Sequence, residues 1–69
     1  MTKEQIANLF TYHAPKGDQP IRYEDIRRHA RILAEVIEAL CPDSREKSLA
    51  ITNLQQAIMW ANASIALNE

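Results

Sequence analysis

A single cysteine, Cys41, excludes an intrachain disulfide, and two isolated histidines, His13 and His29, offer no spacing for a structural metal. A 69-residue chain buries a smaller share of its surface than an average domain, so its fold is marginal without a staple. With both staples missing, self-association is the remaining route to stability. The one glycine leaves no Gly-rich phosphate loop, and HExxH, CxxC and GxSxG are all missing. No apolar run is long enough to cross a bilayer. The opening MTKEQIANLF lacks the regions of a secretion signal. Together with an unpaired thiol, these features predict the cytoplasm and no membrane partner. Positive charge is not in surplus either, with 8 Lys and Arg against 9 Asp and Glu, a net charge of −1. That balance speaks against a grip on long nucleic acid, which needs a basic surface. A small phosphate ligand needs only a few local cations.

What is present favours helix: much Ala, Leu, Ile, Glu and Arg, and few aromatics. The pattern predicts one all-α domain over residues 1–69, a short N-terminal helix followed by an antiparallel helical hairpin. Thr2 and Gln5 have capping-box spacing for a helix that places Ile6, Leu9 and Phe10 on one side and ends near Phe10–Tyr12. Pro15 and Gly17 mark the following loop. Asp18 is placed to cap the second helix, with Pro20 in its first turn. Ile26, Ala30, Leu33, Ile37 and Leu40 form its apolar seam. Glu24/Arg28 and Arg31/Glu35 are spaced as ion pairs on its outer face. Cys41-Pro42 ends it, because a residue before proline avoids the helical region. Asp43 and Glu46 are spaced as a capping pair for a third helix from about Ser44, with seam Ile51, Leu54, Ile58, Ala61 and Ile65. The short loop between the two makes them antiparallel.

The third helix carries more apolar surface than one partner covers. Leu49, Trp60 and Leu67 lie roughly 140–160° from its seam, beside a heptad-spaced row of small residues, Ala50, Ala57 and Ser64. Either the first helix covers this face or another subunit does. The second answer fits better, because the first helix offers only Ile6, Leu9, Phe10 and Tyr12.

Few residues suggest chemistry. His29 with Asp25 reads most simply as a surface pair at i,i+4, His13 with Asp18 as an imaginable acid–base pair, and Cys41 as a packed thiol. Arg28 and Arg31 belong to a solvated face. Arg27 sits on the shoulder of the seam with Tyr23 and Ala34, where a guanidinium calls for an acidic partner or an anion. Two readings stand for it, an intersubunit salt bridge and a ligand contact. Tyr12 and His13, on a Pro-stiffened loop, form either a platform for stacking a base or, for Tyr12, the end of a small core.

The ordered set Tyr12-His13-x-Pro15, Tyr23-x-x-Ile26-Arg27, Cys41-Pro42-x-Ser44-x-Glu46-Lys47-Ser48-x-Ala50 and Met59-Trp60-Ala61-Asn62-Ala63-x-Ile65-Ala66 resembles a phage family of small anti-CBASS proteins. These are the cyclic-oligonucleotide sponges of the second anti-CBASS type, and the likeness spans nearly the whole chain. The resemblance implies a helical homohexamer that binds cyclic dinucleotides such as 3′,3′-cGAMP, and in some relatives cyclic trinucleotides, in pockets between subunits. It implies sequestration without cleavage, with no catalytic residue, metal or cofactor, so that the infected bacterial cell's effector stays inactive. Carried over, Tyr12 stacks on a purine and Arg27 engages base and phosphate. His13 and His29 fall near positions associated with the trinucleotide pocket. One departure is Leu67, where trinucleotide-binding relatives are expected to carry a basic residue. Two rival functions remain: a helical adaptor docking a protein through the third helix, and a small cyclic-nucleotide phosphodiesterase.

Overall fold

Thr2 opens the first helix by a reciprocal pair of bonds: its hydroxyl accepts from the Gln5 N–H at 3.0 Å, and the Gln5 side-chain oxygen accepts from the Thr2 N–H at 2.8 Å. In the computed structural model, which describes residues 1–69, that helix is α1, Lys3–Leu9. A loop leads to α2, Gln19–Leu40, and a short turn to α3, Arg45–Asn68. There are no strands. Pro20 stands in the first turn of α2, as expected. Cys41 closes that helix in extended conformation (φ −103°, ψ 137°), which the following proline enforces. No helix is long and apolar enough to cross a membrane.

Two expected caps differ. Asp18 occupies the N-cap of α2 without a capping bond from its side chain. Its carboxylate turns to the Arg22 guanidinium at 3.3 Å, which competes for the same oxygen. At α3 the cap is Ser44, whose hydroxyl accepts from the Lys47 N–H at 3.1 Å, and not the pair Asp43 and Glu46. Asp43 lies one residue too early and instead meets the Lys47 ammonium at 3.0 Å. The outer face of α2 also pairs differently from its i,i+4 spacing. Glu24 takes Arg27 and Asp25 takes Arg28, both at i,i+3, while Arg31–Glu35 forms as expected at 3.2 Å.

The hairpin closes along Ile51, Leu54, Ile58, Ala61 and Ile65 of α3, all half-buried. On α2 the matching line is Tyr23, Ile26, Ala30, Ala34 and Ile37; Leu33 and Leu40, assigned to the seam by spacing, are exposed. One facing helix covers a narrower arc than the full apolar stripe. The small pair Ala30 and Ala34 takes the centre, and Leu33 is left on the flank.

The result is a slab of 46 × 28 × 13 Å, about one helix thick. A stable domain normally packs two layers around a core, and here no hydrophobic residue is buried. The two buried residues are polar and sit at opposite ends of the hairpin, Gln19 at 4% exposure and Lys47 at 9%. Lys47 bridges the helices at the turn: its ammonium donates to the Glu38 carbonyl and meets the Glu38 carboxylate, each at 3.0 Å. Helix α1 does not cover the second face of α3. The Asn8 side chain donates to the Leu67 carbonyl at 3.3 Å, Leu67 is half-buried, and Trp60 remains 75% exposed.

Candidate functional site

The loop between α1 and α2 is short on apolar anchors, so polar bonds hold it. The His13 ring donates through Nε2 to the Asn8 carbonyl at 2.8 Å, and the Thr11 hydroxyl donates to the Ala7 carbonyl. Gly17 makes the turn into α2 at φ +58°, a region L side chains rarely adopt. Gln19 then ties three segments together. Its side-chain oxygen accepts from the Lys16 N–H at 3.1 Å, and its amide donates to the Glu69 carboxylate at 3.4 Å. Glu69 is also gripped by both terminal nitrogens of Arg22. That guanidinium holds the Glu69 carboxyl below its ordinary pKa, and in return Arg22 is pushed further into its charged form.

These bonds lay the loop along the start of the hairpin and form a groove of about 360 Å³. Tyr12, His13 and Pro15 make its loop wall, Tyr23 and Arg27 its α2 wall, and Asn62, Ala63 and Ala66 its α3 wall. The two alanines keep the groove open where larger side chains would fill it. Tyr12 is 75% exposed, so its ring is available to a flat ligand. Arg27 projects into water with 61% of its side chain exposed and bonds Glu24 of its own helix at 3.1 Å. The desolvated shoulder position expected for Arg27 is therefore absent in the isolated chain. A pair this exposed contributes little, so an incoming anion can exchange with Glu24 at small cost.

The same face continues into a hollow of about 550 Å³ along the hairpin, with Arg27, Arg31, Gln55, Met59 and Asn62 around Ile51, Leu54 and Ile58. Arg27 and Asn62 belong to both depressions and so mark their junction. Another hollow of about 550 Å³, at the outer edge of α2, is lined chiefly by Arg22, Asp25, Arg28 and Glu24, all engaged in ion pairs.

Tyr12, His13 and Arg27 thus come together, and His29 does not. His29 lines a shallow hollow with Ile26, Leu33, Leu54 and Ile58, in which neither Arg27 nor Tyr12 takes part. Its Nδ1–H donates to the Asp25 carbonyl at 2.8 Å, and the Asp25 carboxylate lies 3.5 Å away. The Arg28 bond lowers the Asp25 pKa. Asp18 is paired with Arg22 and His13 with the Asn8 carbonyl, so neither is oriented toward the other. The α3 wall went unassigned at the level of sequence. Its signal was there: Asn62 is a lone amide among the small residues Ala61, Ala63 and Ala66.

The Acb2/Tad1 hairpin-domain model matches residues 2–66 of the chain. No match was found among curated proteins or among solved structures.

Proposed function

The chain belongs to the Acb2/Tad1 hairpin-domain family, the anti-CBASS type 2 sponges, and from that premise we propose that it sequesters cyclic dinucleotides such as 3′,3′-cGAMP between the subunits of a homo-oligomer, a hexamer, without cleaving them. Its place of action is the cytoplasm of the infected bacterial cell, where withdrawing the signal keeps the CBASS effector inactive.

The observation that carries this reading is the groove that gathers an exposed aromatic ring, Tyr12, and a weakly engaged guanidinium, Arg27. A cyclic dinucleotide presents two flat bases and two phosphates, so it asks for stacking surface and a few directed cations. Tyr12 offers the first, worth roughly 1–3 kcal/mol per base. Arg27 offers the second, and a phosphate replaces Glu24 as its partner through charge-assisted hydrogen bonds. The groove has no wall opposite the hairpin, and a slab one helix thick cannot supply one. A second subunit closing over it removes water and strengthens both contacts.

The deciding experiment incubates the protein with 3′,3′-cGAMP, measures binding, then denatures the complex and analyses the nucleotide. A sponge returns the intact ring. Linear product identifies a phosphodiesterase, and failure to bind leaves the adaptor reading, which the exposed Trp60 favours.

A further inference from the structure

Asn62 carries an anomaly that the stacking ring and the arginine leave unexplained. Its Oδ1 is sealed from water and accepts no hydrogen bond, although buried carbonyls in folded proteins nearly always find a donor. A leucine, with the same branching and no polar atom, would leave nothing unpaired there. The chain instead keeps a carboxamide where the two depressions of the hairpin face meet, beside Arg27 and on the same groove as Tyr12.

We propose that Asn62 reads the edge of a base stacked on Tyr12 and prefers adenine to guanine, an inference that rests on the dinucleotide-binding reading above. The torsion that orients a carboxamide is soft, so rotation brings the sealed oxygen to the groove. A carboxamide presents a donor and an acceptor side by side. Adenine answers with its N6 amino group and N7, satisfying both at once. Guanine offers two acceptors, O6 and N7, on that edge, so one half of the amide meets a like partner. Arg27, donor-only, suits phosphate, and the division of labour between the two residues follows from what each is able to donate and accept.

Calorimetry on the wild type and Asn62→Leu, with cyclic di-AMP and cyclic di-GMP, tests this, with sedimentation and thermal melting run on both proteins. The wild type should favour cyclic di-AMP. The variant should assemble and melt no lower, since it loses an unpaired acceptor. Its affinity for cyclic di-AMP should fall about ten- to a hundredfold, with little change for cyclic di-GMP. An analogue built on 7-deazaadenine removes N7 without touching the protein, so it decides the matter even if the variant folds poorly. The wild type should bind this analogue several-fold more weakly than the parent ligand. Undiminished binding of the analogue by the wild type, or equal losses for both ligands in the variant, overturns the base-reading role and leaves the sponge intact. A wild type that binds no cyclic dinucleotide overturns both.

Discussion

Replacing Trp60 by alanine tests whether the chain exists as a thin slab in solution or hides its open face against copies of itself. The accessible surface is 5655 Å². A compact folded monomer of 7.9 kDa exposes roughly 4,400 Å² by the scaling of area with mass. The surplus of roughly 1,250 Å² exceeds the ~800 Å² that each partner contributes to a standard interface. Trp60 is its largest single piece. With 75% of the residue exposed and ~250 Å² for a large aromatic side chain, about 190 Å² remains to be covered. At ~25 cal/mol per Å² that amounts to about 4–5 kcal/mol, reduced to about 2–4 kcal/mol by ordering and imperfect contact. Trp60→Ala should therefore raise the subunit dissociation constant by roughly 30- to 1,000-fold. Ala57→Glu, which sets a charge into the row of small residues, should do at least as much through desolvation. Sedimentation velocity at low-micromolar concentration reads both. A wild type that sediments as a 7.9-kDa particle refutes the area argument outright. An oligomer unchanged by either substitution would mean that subunits meet elsewhere.

Tyr12→Ala and Arg27→Ala should each weaken cyclic dinucleotide binding by about 2–6 kcal/mol if two subunits contribute the residue, whereas Arg31→Ala, bonded to Glu35 on the solvated edge, should matter far less; calorimetry on assembled variants checks this, and full-strength binding by both of the first two sinks the site assignment. Lys47→Met keeps the apolar stem but removes the ammonium that bridges Glu38 and Asp43, and should lower the melting temperature even though both carboxylates are free to return to water. The bridge raises the Lys47 pKa above 10.5, through Asp43 first and Glu38 second, so its contribution is complete below that pH and fades as pH rises through the folded value. Melting curves should show the difference between wild type and Lys47→Met shrinking in strong alkali; a constant difference refutes the bridge as its source.

The helical plan was legible because its signals are local. Thr2 and Gln5 name their cap three residues apart, Pro42 dictates the extended Cys41, and the α3 seam repeats at helical spacing. Two kinds of feature were not legible. Competition for one acceptor decides which of several neighbouring charges pair, as Asp18 shows by choosing Arg22 over its own helix amides, and spacing alone leaves that competition open. Burial depends on how many neighbours exist. Leu33 and Leu40 carry the right period for a core, yet a hairpin without a second layer has no place for them. The pairing of Tyr12 with Arg27 was foreseeable from the resemblance, whereas His13, set there with His29 near the trinucleotide pocket, lines the same groove as Tyr12 and Arg27 instead. Of the α3 wall only Asn62 left a signal; Ala63 and Ala66 matter through the space they leave empty, and emptiness has no residue type. Lys47 and Gln19 escaped notice for a related reason: each works by bridging segments whose proximity only the folded hairpin creates.

The same thinness binds the proposed ligand site to the proposed assembly. In the isolated chain Arg27 and Tyr12 are both largely exposed, so neither contact is strong in a medium of high dielectric constant. A near-neutral chain, with net charge −1, has no long-range field to compensate. A tight anion site is then possible only where a second subunit excludes water, because hydrogen bonds to phosphate gain strength as the local dielectric falls. Ligand and neighbouring subunit thus bind to the same state, and each must favour the other by mass action. Trp60→Ala leaves Tyr12 and Arg27 untouched. It should bind cyclic dinucleotide tightly at protein concentrations where it still assembles, and weakly below its dissociation constant. An affinity that stays tight in a demonstrably monomeric variant would show that one chain builds the whole site, and the groove would need a wall that the slab does not have.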